Sequence, residues 1–347
     1  MKKTSFYVAT IGVFDGVHLG HRFLLNKVRE VAEARGMSSL ALTFAPTPEE
    51  FFRRPTLAPS RDEGEALLPL AERKERLLEA GIDRVEVMAF NREVAEMTAA
   101  QFMTLLKEQL DVRVLVMGYD HRFGCEQRSD APFYDAAAES CGLEIVHAPA
   151  YGDVSSTRIR ELLLQGNVEG AKTHLGYPYT IEGTVVTGDG RGRTLGFPTA
   201  NLAVQPEKLI PATGVYAVKV IFSGQQVNGR SSESKEVLAQ SLPSRDGRRA
   251  QLNGSTSQRV NESTSQQLNP MTYNGMMNIG LCPTFGGRTV RRVEVHILDF
   301  DADIYGQTLS VQLLHHLRDE RRFPSVEALV SQLKADAARI RELMLEG

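Results

Sequence analysis

Features typical of membrane, secreted and nucleic-acid-binding proteins are scarce in this sequence. Three cysteines are scattered without a CxxC pair, which argues against a disulfide framework or a zinc site. The longest apolar runs fall far short of a membrane span, and Met1–Thr4 leads into a strand-like run rather than a secretory apolar segment. A net charge of −3 leaves no basic excess for a nucleic-acid backbone. We therefore expect a cytoplasmic protein with reduced thiols, with no membrane, nucleic-acid or obligate protein partner.

The apolar content is sufficient for two domains. The 347 residues exceed one ordinary domain, and 42% of them are hydrophobic. Up to about residue 175, strand-like and helix-like segments alternate, which predicts a doubly wound α/β domain whose parallel sheet is covered by helices. The predicted strands are Phe6–Gly12, Leu40–Phe44, Val85–Met88, Val112–Met117 and Leu143–His147, and the predicted helices are His21–Arg35, Thr98–Gln109 and Pro132–Cys141. Ligands of such domains bind at the carboxyl ends of the strands.

From about residue 176, strand signals follow one another without intervening helices. They are Ile181–Val186, Val215–Ile221, Met276–Ile279, Val293–Leu298 and Leu309–Leu314. Consecutive strands with Gly-rich turns predict a small antiparallel β-barrel. The chain then ends in a predicted helix, Ser325–Leu345, with Ser325 as its N-cap. A Ser-, Gln- and Asn-rich stretch at about 223–270 predicts a disordered insertion, with a regulatory or partner-binding loop as the alternative. The expected domains are 1–175 and 176–347.

An HxGH pattern lies between the first predicted strand and the first predicted helix. His18 and His21 flank Gly20 at the helix N-terminus. The glycine lets a phosphate approach the backbone, and the helix end offers free N–H groups and a partial positive charge. The imidazoles can donate hydrogen bonds to the phosphates of a nucleotide. Two ordinary capping residues are the alternative interpretation.

A second anion-binding segment is Val154–Arg160, at the start of a later helix. Ser155, Ser156 or Thr157 can cap this helix, whose N–H groups favour anions. Arg160 lies one turn further and can reach the same phosphates with its guanidinium. A well-capped helix with solvated arginines would look the same, but the presence of HxGH in the same domain favours a shared phosphate site.

The second half carries a glycine-rich loop followed by a Pro-Thr-Ala-Asn sequence. Glycines within Gly188–Gly196 allow backbone N–H groups to wrap a phosphate, although the loop lacks the ending of a Walker motif. The hydroxyl of Thr199 and the amide oxygen of Asn201 point the same way on an extended segment and suit a magnesium ion. The predicted phosphate-binding residues of this loop are Gly188, Gly190, Gly192 and Arg193, with a solvated turn residue as the alternative for Arg193.

One carboxylate stands out on a predicted barrel strand. Alternation places Val293, Val295 and Ile297 on one face and Glu294 and His296 on the other. A carboxylate among apolar neighbours can have its pKa tuned for proton transfer, so Glu294 is a candidate general base. An edge-strand glutamate facing water is the alternative, and we expect His296 to be structural.

Residues 5 to 347 resemble the bacterial bifunctional riboflavin kinase/FAD synthetase family. The resemblance is carried by GVFDGVHLGH, GYDHRFG and SSTRIR in the first half and by the glycine-rich loop and PTAN in the second. It implies phosphorylation of riboflavin to FMN and adenylylation of FMN to FAD, both with ATP and Mg²⁺. ATP phosphates would be held by His18, His21, Ser156, Thr157 and Arg160.

The same resemblance implies further roles. Thr199 and Asn201 would hold magnesium–ATP, and Glu294 would be the base for the riboflavin hydroxyl. The residues implied near the flavin are Asp120, Phe123, Arg318 and Arg321. Without the resemblance, Asp120 would be an ordinary turn residue after a strand, and the arginines a solvated charge run.

One departure from the family pattern concerns adenylylation. Thr47 stands where the family usually has histidine, and a threonine cannot carry a positive charge. A riboflavin kinase whose N-terminal adenylyltransferase domain is impaired is therefore one alternative. A second alternative is a flavin- or nucleotide-binding regulatory protein, but such a protein has no need of Glu294 as a base beside a magnesium site. A third is a nucleotidyltransferase for another small phosphate, but the PTAN barrel argues against it.

Overall fold

An α/β unit followed by a β-barrel makes up the computed structural model. It describes residues 6–53, 66–128, 130–188, 191–222, 271–283 and 289–345. The predicted insertion at about 223–270 lies outside these residues. Within them, no helix combines the length and the apolar character needed to pass through a bilayer.

The strands of the α/β unit form one parallel sheet. They are β1 (Tyr7–Ile11), β2 (Ser38–Phe44), β3 (Arg84–Met88), β4 (Val112–Met117) and β5 (Glu144–His147). Their order is β3-β2-β1-β4-β5. β1, β2 and β4 are apolar and buried over nearly their whole length because helices cover both faces of the sheet. The chain turns to opposite sides of β1 on its way to β2 and β4, so a crevice forms at the carboxyl end of β1.

Side-chain caps fix where several helices of this unit begin. The helices are α1 (Leu19–Ala34), α2 (Pro48–Phe52), α3 (Leu70–Glu79), α4 (Arg92–Glu96), α5 (Ala99–Gln109), α6 (Ala131–Cys141), α7 (Ser156–Leu164) and α8 (Val168–Leu175). Thr98 and Gln101 form a reciprocal capping box at α5. α1 begins at Leu19 rather than at the predicted His21, because the His18 side chain caps it.

The second half is a closed antiparallel barrel. Its elements are β6 (Thr180–Val186), α9 (Arg191–Thr194), β7 (Ala200–Val204), β8 (Gly214–Phe222), β9 (Thr272–Pro283), β10 (Thr289–Ile297), β11 (Thr308–Arg318) and α10 (Val326–Leu343). The strand order is β10-β7-β6-β11-β8-β9. Ser325 caps α10, as predicted, by accepting a hydrogen bond from the Ala328 N–H at 3.2 Å. The predicted doubly wound domain, barrel and C-terminal helix are thus confirmed.

The two halves share buried surface. Leu67 and the inner faces of α7 and α8 belong to the same apolar cluster as the interior of the barrel. Lys208, almost fully buried, places its Nζ 2.5 Å from Oε2 of Glu72 on α3. Backbone hydrogen bonds join Ala66 to Glu207 and Leu209 at 3.0 and 2.9 Å. Because a buried charge is costly without its partner, these contacts hold the barrel against the α/β unit.

Candidate active sites

The larger cleft, of about 930 Å³, opens where β1 and β4 end. The loop from Gly12 to His21 forms one wall, and the loop after β4 and the start of α7 form others. Six of the residues predicted for this site line the cleft: His18, His21, Asp120, Phe123, Ser156 and Arg160. Thr157 is exposed and is not among the lining residues.

The two histidines stack on each other at the start of α1. Their ring centroids are 3.7 Å apart, and His18 Nδ1 accepts the His21 backbone N–H at 3.3 Å. Capping therefore places the proton of a neutral His18 ring on Nε2, which remains as a donor. Burial lowers the pKa of His18 to about 4, and burial and the neighbouring His18 lower that of His21. With pKa values lowered in this way, both rings are neutral at pH 7, and a neutral imidazole carries one N–H that can donate a hydrogen bond.

Asp15, which sequence reasoning missed, anchors the loop from Gly12 to His21. Its buried carboxylate accepts the N–H groups of Leu67 and Leu68 at 3.1 and 2.9 Å. Arg160 donates to the same carboxylate at 2.5 Å. The guanidinium predicted to hold phosphate is therefore also part of the internal support of the loop, while it lines the cleft.

The start of α7 joins this loop directly. Ser155 is the residue that caps α7, accepting the Arg158 N–H at 3.2 Å. Ser156 donates its hydroxyl to the Asp15 carbonyl at 2.8 Å. The two segments predicted to bind phosphate are thus in contact, and the N-terminus of α7 faces the same cleft as that of α1.

An aromatic wall forms part of the lining of the cleft. Phe44, Phe52 and Phe90 line it, with Phe90 in edge contact with the other two at 5.6 and 5.9 Å. Phe123 lies further along, packed on Tyr134 at 4.8 Å between ring centroids. Such a wall is suited to a flat apolar ring system. Aromatic residues in short loops and helices carry no periodic signal, which is why sequence analysis found only Phe123.

Thr47, the departure from the family pattern, has a local structural role. Its hydroxyl accepts the Glu50 N–H at 3.3 Å, and Glu50 Oε2 accepts the Thr47 N–H at 2.7 Å. This capping box starts α2. Thr47 itself does not line the cleft, whereas the next residues, Pro48 and Glu49, do.

The smaller cleft, of about 450 Å³, lies on the barrel. It brings together six of the predicted residues: Gly192, Thr199, Asn201, Glu294, Arg318 and Arg321. Gly190 lies outside the described residues. Gly188 and Arg193 are described but do not line this cleft.

Two glycines of the barrel loop are required by the close packing of the PTAN segment. A Cβ on Gly188 would lie 1.9 Å from the Asn201 side-chain nitrogen, and one on Gly192 would lie 2.3 Å from the Phe197 carbonyl oxygen. Any larger residue would displace the side chain of Asn201 or the backbone before Thr199. The glycines therefore serve first to seat the Thr199 and Asn201 oxygens at the cleft.

Glu294 faces the cleft from the middle of the barrel wall. β10 pairs with both β7 and β9, so it is not the edge strand of the alternative interpretation. Glu294 stands opposite Asn201 in the register, keeps 27% of its side chain exposed, and lies 3.6 Å from Arg292 Nη1. A carboxylate that is half-buried yet reachable can accept a proton from a bound hydroxyl.

His296, predicted to be structural, braces the PTAN segment. Its Nδ1 donates to the Pro198 carbonyl at 2.8 Å, and its ring meets Phe197 at 5.1 Å. Because Pro198 immediately precedes Thr199, this bond fixes the backbone that presents the Thr199 hydroxyl. His296 also lines the cleft.

The two predicted flavin-side arginines are already engaged within the chain. Arg318 pairs with the buried Asp336 of α10 through Nε and Nη2, each at 2.9 Å. Arg321 donates to Gln332 and lies 5.0 Å from the Phe323 ring centre. Both still border the cleft. They join the C-terminal helix to the barrel at the rim.

Comparison with known proteins decides the family. Residues 1–161 match the FAD synthetase family and residues 175–344 match the riboflavin kinase family. Two curated proteins, each named bifunctional riboflavin kinase/FMN adenylyltransferase, align over nearly the whole chain. The one from Listeria monocytogenes is 32% identical, covering 95% of this chain and 90% of the relative. The one from Escherichia coli is 34% identical, with 96% and 92% covered.

The chain belongs to the bifunctional riboflavin kinase/FMN adenylyltransferase family. A solved structure, described as a macrolide-efflux protein from Streptococcus pneumoniae, superposes with a TM-score of 0.76 and 29% identity. That match covers 98% of this chain and 97% of the other. In the terms of this family, the larger cleft lies in the FAD synthetase half and the smaller one in the riboflavin kinase half.

Proposed function

We propose that this chain phosphorylates riboflavin to FMN with ATP and then adenylylates FMN to FAD with a second ATP, releasing pyrophosphate. It is a bifunctional transferase that uses ATP, Mg²⁺ and flavins. The observation that carries the proposal is the pairing of each cleft with its own family match. The stacked histidines lie in the FAD synthetase half, and Glu294 with Thr199 and Asn201 lies in the riboflavin kinase half.

In the adenylylation step, a phosphate oxygen of FMN attacks the α-phosphorus of ATP, and the bond to pyrophosphate breaks. We infer that neutral His18 and His21 donate hydrogen bonds to the ATP phosphates, together with the Arg160 guanidinium and the N-terminus of α1. Ser156 and Thr157 would contribute through their backbone N–H groups at the N-terminus of α7. These groups position the phosphates and stabilise the charge that develops on them. Asp120, Phe123 and the aromatic wall would hold the flavin.

In the kinase step, Glu294 accepts the proton of the terminal ribityl hydroxyl of riboflavin. The hydroxyl oxygen then attacks the γ-phosphorus of ATP, and ADP leaves. The hydroxyl of Thr199 and the amide oxygen of Asn201 are hard oxygen donors on one cleft wall, which fits Mg²⁺. The bound ion would neutralise phosphate charge. Gly188, Gly190, Gly192 and Arg193 would approach the phosphates, and Arg318 and Arg321 would border the flavin.

Three broader assignments accompany this function. We place the domain boundary between residues 175 and 176, where the α/β unit ends at Leu175 and the barrel strands follow. We assign a cytoplasmic location because ATP and reduced thiols are found there. The partners we propose are small molecules alone, without nucleic acid or an obligate protein.

A time course with purified protein, riboflavin, ATP and Mg²⁺, with flavins separated by chromatography, tests the proposal. FMN should appear first and FAD should follow. FMN without FAD, also when FMN is supplied directly, would contradict the adenylylation step. Neither product from a folded protein that binds flavin would favour a regulatory binding protein instead.

A further inference from the structure

One contact crosses from the riboflavin kinase half into the loop that carries HxGH. Tyr177 lies within the residues that match riboflavin kinase and beyond those that match FAD synthetase. Its hydroxyl donates to the carbonyl of Gly16 at 2.5 Å, across 161 positions of sequence. Gly16 lies two residues before His18, so the bond fixes the backbone that leads into the stacked histidines.

The loop adopts a conformation that needs such support. Phe14 and Val17 have φ angles of 55° and 35°, in the left-handed region that L residues rarely occupy. For a β-branched residue such as Val17, the conformation is strained and persists only where the surroundings enforce it. Val17 is almost fully buried and directly precedes His18. Relaxation here would therefore move the imidazoles relative to the phosphates.

Tyr177 is itself rigidly held. The Arg76 guanidinium lies over its ring at 4.1 Å from the centroid. The preceding Gly176 packs so tightly that a Cβ there would lie 2.6 Å from Leu19 Cδ2, at the start of α1. Burial raises the pKa of the Tyr177 hydroxyl well above its ordinary value, so it remains a donor throughout the working pH range.

We propose that Tyr177 is a positioning residue for adenylylation, supplied to the first active site by the kinase half of the chain. The inference rests on the proposed adenylylation at the larger cleft. Tyr177 is not among the residues that line this cleft, so it acts through the backbone of Gly16 and Val17 rather than on a substrate. The adenylyltransferase site is then completed only when the barrel is joined to it.

The test compares Tyr177→Phe with Tyr179→Phe in the full chain. Tyr179 is buried at the junction of the halves, and its hydroxyl donates to the Leu209 carbonyl at 2.7 Å, an acceptor outside the loop. Each change removes one hydroxyl and one hydrogen bond, which is partly buried at Tyr177 and buried at Tyr179. We expect Tyr177→Phe to lower kcat for FAD formation from FMN about threefold to tenfold, the usual consequence of one such bond. KM for FMN and the rate of riboflavin phosphorylation should stay within about twofold of the wild-type values in both variants.

Equal losses in the two variants would overturn the proposal, since the effect would then reflect general packing of the halves. An unchanged kcat in Tyr177→Phe would overturn it as well. Hydrogen exchange at the amides of residues 12–21 gives a readout that does not depend on catalysis. We expect faster exchange there in Tyr177→Phe alone, and unchanged exchange would contradict the positioning role. FAD missing from the wild-type reaction would count against the proposed adenylylation, and exchange would still decide the role of Tyr177.

Discussion

The two clefts are built in different ways. In the larger cleft, the loop with the histidines is held by hydrogen-bond donors that are far away in sequence. The N–H groups of Leu67 and Leu68 donate to the Asp15 carboxylate, and the hydroxyls of Ser156 and Tyr177 donate to the carbonyls of Asp15 and Gly16. In the smaller cleft, Glu294 and Asn201 are set opposite each other by the strand register of β10 and β7. The difference teaches that the first site should respond to changes outside it, whereas the second should depend on the few groups it presents.

The largest expected effect is at the kinase cleft, from Glu294→Gln. The amide keeps the size of the side chain but cannot accept the proton of the hydroxyl, and losing a general base costs about a hundredfold to ten-thousandfold in rate. We expect FMN formation to fall by that factor in initial-rate assays. FAD formation from added FMN serves as the internal control and should be unchanged. A kinase rate of the Glu294→Gln variant within about threefold of the wild-type rate would rule out this role for Glu294.

An intermediate effect concerns stability against pH, through His18. Its folded-state pKa of about 4 lies below the ordinary 6.5, so the unfolded chain binds the proton first as the pH falls. Stability that is fully present above pH 6.5 is therefore lost progressively towards pH 4, by up to about 3 kcal/mol. The charge of Asp120 raises the pKa of His18 and so opposes the effect of burial, whereas His174 lowers it further. The pKa of His21 is also lowered, so His21 contributes to the pH dependence with the same sign.

The matched variant for this effect is His18→Asn, because asparagine also caps helices well. Urea denaturation at pH 7 and pH 5 should show a smaller pH-dependent loss of unfolding free energy in the variant than in the wild type. Identical losses in the two proteins would mean that His18 does not titrate in this way. The kinase cleft contains no pair of stacked imidazoles, so the comparison isolates a property of the larger cleft within the described residues.

The smallest expected effect is from Thr47→His, which restores the residue usual in the family. Because Thr47 caps α2 and does not line the cleft, the change should remove the capping box at a cost of about 1 kcal/mol to this helix. We expect kcat for FAD formation to change by less than about threefold. A gain of tenfold or more would show that the missing imidazole limits adenylylation after all.

The parts of the molecule that could be predicted from sequence are those with local periodic signals. Apolar runs such as Val112–Met117 predicted the parallel sheet, and alternation at Val293–Leu298 predicted a barrel strand. HxGH was recognised because its spacing and its neighbouring elements define it, whereas PTAN was recognised through the family resemblance and the glycine-rich loop before it. Of the motif residues, Ser155 proved to be the cap of α7, which sequence left open among three residues.

The rest depends on pairings that no short window contains. Asp15 and Leu67 are 52 positions apart, and nothing at Asp15 alone distinguishes a buried anchor from a turn residue. Arg318 reads as part of a solvated charge run, but its partner Asp336 lies on a helix that folds back over the barrel. The short helices α2 and α4 span five residues each, too few to show a helical period.

The apolar cluster that runs from α7 and α8 into the barrel has a consequence for how the chain loses its structure. Leu67, Ile159 and Leu175 belong to the same continuous interior as Val218 and Leu313. Opening either half would expose apolar surface of the other, so separate melting of the halves is energetically penalised. Heating should therefore produce one cooperative calorimetric transition, with both enzymatic activities inactivated over the same interval of temperature.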